Sequence, residues 1–115
     1  MERLPKRGEV VFLPFPFSDL SASKNRPVLI LQPTTRGDMI TCQISSRDYA
    51  DPQAITLGPN DFVEGGLPLV SYVQARKLFT AHASLMTRPA GIIRIQVLEA
   101  VIEHVVSLLR GQQGK

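Results

Sequence analysis

Apolar residues recur in this chain with two different periods, and the change from one to the other constrains the architecture most. From Ile95 onward, Ile95, Leu98, Val101, Ile102, Val105, Leu108 and Leu109 fall at spacings of three and four, which lays one apolar stripe along a helix. Gly111 supplies a stop, and Arg110 suits the negative end of the helix dipole. The start carries no Ser or Asp cap, because Arg94 stands where one is expected. Upstream the helical spacing vanishes. There the apolar residues form short runs of strand length, divided by Gly, Pro, Asn, Asp and Ser.

Those runs predict strands at Gly8–Phe12, Pro27–Gln32, Met39–Ile44, Ala54–Leu57, Leu67–Val73 and Lys77–Phe79. Pro14 and Pro16 are expected to end the first strand, since each removes a ladder hydrogen bond. Ser18 to Arg26 has no periodicity and reads as a polar loop of about nine residues, long for a hairpin connection. Pro27 to Gln32 is apolar almost throughout, as in a strand buried on both faces, with Pro27 tolerated at its first position. The fold class is therefore mainly β with a C-terminal α-helix, as a small antiparallel barrel or half-open sheet.

Length and composition narrow the function. A chain of 115 residues fits a single domain over 1–115, and 43% hydrophobic with 20% charged residues excludes extended disorder. No run approaches the ~18 apolar residues of a membrane span. Met1 to Gly8 is too charged for a secretory leader, so no membrane association is expected. A lone Cys42 excludes an internal disulfide and a multi-cysteine zinc site, and points to a reducing cytoplasm. Within a strand pattern it reads as a small core residue. The net charge of +3 points only faintly to nucleic acid.

The chain has two histidines, His82 and His104, and neither lies in a metal-ligand motif. Gly65-Gly66 lacks the strand–loop–helix context of a phosphate-cradling loop. No cofactor and no metal is expected. What remains is polar and lies at strand ends. Arg26 directly precedes an apolar strand, Ser45 and Ser46 end the third, and Gln74 and Arg76 follow Leu67–Val73. Brought together, two guanidinium groups, two hydroxyls and an amide suit a phosphodiester. Taken singly, the same residues are ordinary surface polar groups.

Three blocks in register bear on that choice. Arg7-Gly8-Glu9 with the strand after it, followed by Arg26-Pro27 and an aliphatic strand, resembles the N-terminal signature of the MazF/PemK-like toxin family. The Pro14-Phe15-Pro16-Phe17 variant is similar to the PemK-like branch. Cys42-Gln43-Ile44-Ser45-Ser46 resembles that family's strand ending in Ile-Thr. Ser71 to Phe79, with Gln74-Ala75-Arg76 inside it, resembles the Gln-x-Arg segment. The resemblance implies an SH3-like barrel of the CcdB/MazF type, a homodimer, and a sequence-specific endoribonuclease that cuts single-stranded RNA at short sequences without metal. It also implies the toxin of a type II toxin–antitoxin module, acting in growth inhibition. Its partner would be a cognate antitoxin, acidic and partly disordered, with which such toxins join in DNA binding.

By the same resemblance the catalytic pair maps to Arg26 and Ser45. For RNA contacts, the residues themselves offer backbone charge at Lys24, Arg47 and Arg76 and strand-end hydrogen bonds at Ser46 and Gln74. The RNA 2′-hydroxyl would be the nucleophile, leaving a 2′,3′-cyclic phosphate and a 5′-hydroxyl. A guanidinium holds its proton to above pH ~12, so Arg26 is assigned to charge stabilisation and not proton transfer. Ser45 stands where the family has Thr, keeping the hydroxyl and losing the methyl that restricts its rotamer. An Arg and an Asp found in some PemK-type members correspond here to Ser71 and Val73. No residue is marked as a separate general base, and Asp19 reads as a turn former. Phe15, Phe17 and Tyr49 are candidate stacking platforms, with core packing the commoner role for the two phenylalanines. Two alternatives stay open: a non-enzymatic CcdB-like gyrase-binding poison, and a barrel that binds RNA or a protein tail without cleavage.

Overall fold

The computed structural model describes residues 4–16, 23–47 and 53–112. Seven strands form one sheet: β1 (Glu9–Pro16), β2 (Ser23–Pro33), β3 (Asp38–Ser45), β4 (Ile55–Leu57), β5 (Phe62–Gly65), β6 (Ser71–His82) and β7 (Arg88–Ile93). The spatial order is β4-β6-β3-β2-β1-β7-β5, and every pair is antiparallel. The sheet curls into a nearly closed barrel, as expected from the pattern of short strands. A single helix, α1 (Ile95–Leu109), follows it.

Two apolar clusters form, one on each face of the curled sheet. The larger joins Val10, Leu29, Leu31, Cys42, Ile44, Val73 and Ile93 to Leu98, Val101 and Val105 of α1. The smaller holds Val11, Leu13, Val28, Ile30, Met39 and Ala81. Successive residues of β2 thus alternate between two cores, which is why its sequence is continuously apolar. Each buried side chain of α1 contributes about 1.5–3 kcal/mol of transfer free energy.

The helix matches its sequence pattern in extent, but the buried stripe is narrower. Ile95 is 58% exposed and Leu109 73%, while Leu98, Val101 and Val105 are buried and Ile102 and Leu108 pack against the core partly buried. Without a side-chain cap, Arg94 anchors the start through its backbone and guanidinium: its N–H donates to the Asp61 carbonyl (2.8 Å) and its Nε to the Asn60 carbonyl (2.6 Å). At the other end Gly111, at φ 71°, allows Gln112 N–H to reach Ser107 O (2.9 Å) and its own N–H to reach Leu108 O (3.1 Å). These two bonds make a Schellman stop.

Three expectations are corrected. The first strand does not end at Pro14: β1 runs to Pro16, with Pro14 opposite Asn25 and Pro16 opposite Ser23. The Phe12 carbonyl accepts from Thr87 N–H (2.9 Å) and so points away from β2. By alternation Pro14 and Pro16 turn their missing amides the same way, past the last β1–β7 pair, Phe12–Arg88, where no ladder needs them. Second, Lys24, Asn25 and Arg26 are not loop residues. They lie in β2, paired with Phe15, Pro14 and Leu13, so Pro27 is internal to the strand. Third, Leu67–Val70 is not strand, the runs around Val73 and Phe79 are one long β6, and β5 and β7 carried no sequence signal.

β7 contains Pro89 and Gly91, which read as breakers. Gly91 instead allows β5 to approach, since a Cβ there would lie 2.5 Å from the Glu64 carbonyl and 2.8 Å from the Gly66 nitrogen. Gly91→Ala is therefore expected to force β5 off β7 and destabilise the protein by about 1–3 kcal/mol, read as a lower urea midpoint.

Candidate functional site

The β2–β3 ladder ends at Val28–Gln43. One residue earlier on β2 stands Pro27, which has no amide hydrogen to extend it. Because Pro27 lies opposite Phe12, in the pair whose polar groups face away from the β1–β2 seam, that missing donor is the one β3 would have used. Past this point the two strands enclose a cavity of about 540 Å³.

Two residues beyond the last pair, each strand delivers one side chain to the cavity: Arg26 from β2 and Ser45 from β3. Lys24, Asn25, Ser46 and Arg47 line it as well. Leu67, Pro68, Leu69 and Ser71 make a further wall, and Phe12 and Ile44 add apolar surface. Ser71 Oγ donates to the Leu69 carbonyl (2.9 Å), tying that wall to the start of β6. Lys24, Arg26 and Arg47 contribute three cations, and among the described residues no Asp or Glu lines the cavity. Such a lining attracts an anion, and its apolar part lowers the local dielectric and strengthens the attraction.

The backbone of Arg26 is constrained by the proline after it, which disfavours the helical region. Its side chain is half-buried, with Nε shielded from solvent. Ser45 is 6% exposed, and its Oγ accepts the Arg47 N–H at 3.0 Å. That bond restrains the hydroxyl, a task the absent methyl of threonine would have shared. With one lone pair so engaged, the hydroxyl proton is left to serve as a donor.

Of the seven site residues inferred from the sequence, five converge here: Lys24, Arg26, Ser45, Ser46 and Arg47. Gln74 does not reach the cavity surface. It is 1% exposed, and its Nε2 donates to the Arg47 carbonyl at 3.3 Å. Arg76 lies outside the lining, exposed on the bulge where the β3–β6 register passes from Gln43–Gln74 to Cys42–Leu78. Phe15 packs edge-on against Phe79, with ring centroids 5.6 Å apart. Asp19, Phe17 and Tyr49 fall outside the described residues. Val73 is in the core, whereas Ser71 lines the cavity.

Sequence reasoning missed Phe12 and the wall at Leu67–Leu69. Phe12 carries the Arg88 guanidinium 4.1 Å from its ring centroid, a cation–π contact that holds the ring at the cavity edge. Its apolar neighbours hid it within a strand pattern. Among the described residues no three His, Cys, Asp or Glu side chains come together as a metal site. His82 is engaged structurally, with Nε2 bonded to the Arg36 carbonyl (2.8 Å) and Nδ1 accepting the Ser84 N–H (3.0 Å). These bonds brace a turn in which Arg36 holds φ 61°.

The chain has relatives of known structure. Residues 6–109 match the family described as PemK-like, MazF-like toxin of type II toxin–antitoxin system. A MazE–MazF crystal structure from Deinococcus radiodurans is 25% identical with a TM-score of 0.75, covering 95% of this chain and 98% of that one. MazF alone from the same organism gives 25% and 0.74, over 95% and 99% of the two chains. An endoribonuclease in complex with its cognate antitoxin, from a mycobacterial species, is 19% identical at TM-score 0.68, over 99% and 100%, and supports the fold alone. No curated protein sequence matches the chain.

Burial pushes the Cys42 thiol from its ordinary value of 9.0 up to about 12. The unfolded chain releases that proton near pH 9 and the folded one retains it, so stability falls as pH rises from about 9 towards 12. Iodoacetamide at pH 8 is expected to leave Cys42 unmodified in the native protein and to label it in urea, as read by intact mass.

Proposed function

From the premise that this chain belongs to the PemK-like, MazF-like toxins of type II toxin–antitoxin systems, we propose that it is a metal-independent endoribonuclease acting on single-stranded RNA. One observation carries the reading: Arg26 and Ser45, from adjacent strands, line the same cavity with Lys24 and Arg47. Its partners are a cognate acidic antitoxin and a second copy of the chain, and its place is the cytoplasm. No helix among the described residues is long and apolar enough to cross a membrane.

The chemistry needs little from the protein beyond positioning and charge. The RNA 2′-oxygen attacks the adjacent phosphorus and loses its proton. A bond from phosphorus to the 5′-oxygen breaks, and that oxygen gains a proton. The products are a 2′,3′-cyclic phosphate and a 5′-hydroxyl. Negative charge on the non-bridging oxygens peaks in the transition state, and the Arg26 fork stabilises it most there. Ser45 donates its hydroxyl proton to one of those oxygens, its own oxygen restrained by the Arg47 amide. Lys24 and Arg47 hold the flanking phosphates, and the apolar wall with Phe12 accepts a splayed base.

Purified protein in EDTA is expected to cut single-stranded RNA into fragments with 5′-hydroxyl ends, recognised by direct labelling with polynucleotide kinase. Arg26→Ala should lower the single-turnover rate by about 10²–10³-fold, the scale for removing a transition-state donor. Ser45→Ala should cost about tenfold or more, equivalent to one transition-state hydrogen bond. Intact RNA across varied sequences, with binding retained, would favour a barrel that binds without cutting. An active Arg26→Ala variant would overturn the site assignment.

A further inference from the structure

Gln74 is an expensive residue to bury. It sits on β6 opposite Gln43 at 1% exposure, between the core residues Val73 and Ala75. A methionine of similar size would fill that place without desolvating an amide, so the amide must return something where it lies. Its Nε2 donates to the Arg47 carbonyl at 3.3 Å, and the Arg47 N–H donates to Ser45 Oγ at 3.0 Å. Both bonds act on one residue just past the end of β3. One holds its carbonyl from a buried amide on β6, and the other passes its amide to the serine.

We propose that Gln74 is a positioning residue: by anchoring the Arg47 main chain it aims that amide at Ser45 and so sets the direction in which the serine hydroxyl donates. Gln74 itself touches no RNA. Its kinetic consequence rests on the ribonuclease reading above, whereas the hydrogen-bond relay does not. A glutamine is suited to this place because β6, paired with β3 on one side and β4 on the other, is held more firmly than the residues following Ser45. Serine, lacking the methyl of threonine, depends on the relay for its rotamer.

The test compares Gln74→Met and Gln74→Glu with the parent chain. Glu keeps the shape and, read at a pH where it is ionised, turns the donor into an acceptor facing the Arg47 carbonyl. With a single-stranded RNA oligonucleotide, each variant is expected to lose about tenfold in kcat, the scale of one transition-state hydrogen bond, while KM stays within about twofold. In a Ser45→Ala background the same changes should cost less than about twofold more, because their effect runs through that hydroxyl. A rise in KM at constant kcat would make Gln74 a ligand contact and overturn the proposal. So would an unchanged kcat, or an equal loss with and without Ser45. Amide hydrogen exchange at Arg47, followed by NMR without RNA, gives an independent reading. It should quicken in both variants while amides in the β2 core keep their protection. Should the parent chain leave RNA intact, the ribonuclease reading fails, and the Arg47 exchange rate alone decides the relay: faster exchange upholds it, and unchanged exchange overturns it. If Gln74→Met loses its fold, Gln74→Leu, which likewise has no donor, takes its place in every comparison.

Discussion

Pro27 has no amide hydrogen, and the ladder between β2 and β3 stops at the residue that follows it. Much of the site depends on that missing donor. On one side of it, Val28, Leu29, Ile30 and Leu31 are all buried, alternately in two cores, so β2 cannot slide without exposing one of them. On the other side the strand remains paired with β1 but is released from β3. Arg26 therefore projects from a fixed backbone into a space that a continued ladder would have closed. The barrel supplies rigidity and the proline supplies the opening.

The electrostatics of that opening follow from what it leaves out. Among the described residues three cations and no acidic side chain line the cavity, although the whole chain has 13 basic against 10 acidic residues. A modest net charge thus conceals a sharp local one. Gathering like charges costs repulsion in the free protein, and a phosphodiester relieves it on binding. An acidic peptide relieves it too. One field therefore suits either a phosphodiester or an acidic peptide, and on the proposed function the two would compete for a single surface.

Where sequence reading failed, the failures have physical causes. Lys24-Asn25-Arg26 looked like loop because polar side chains that line a cavity break the apolar alternation of their strand. β1 looked as if it ended at Pro14 because a proline's cost depends on which way its missing amide faces, and that is decided by β7 ending at Arg88. β7 was hidden by Gly91, whose missing side chain is the condition for pairing with β5. Each is a fact about neighbours distant in sequence. The helix, the doubly buried β2 and the core role of Cys42 were legible because periodicity and burial are local in sequence. Arg26 and Ser45 were legible mainly through resemblance, since no spacing rule joins a residue before one strand to a residue at the end of the next. Gln74 was picked out by its motif, but its burial and its bond to Arg47 belong to the folded chain.

Serine at position 45 has no methyl of the kind a threonine would bring to hold its rotamer. The lost methyl frees a torsion, which costs some of the order that a transition state exploits. The Arg47 amide offers the hydroxyl oxygen a fixed partner at 3.0 Å, which restores a preferred direction without the methyl. That partner is only as fixed as its own peptide, whose carbonyl is held from the barrel by Gln74. By that relay the rotamer of Ser45 depends on a buried amide 29 positions away in the sequence. The hydroxyl at 45 and the amide at 74 then form one unit, and a change at either has to be judged with the other in place.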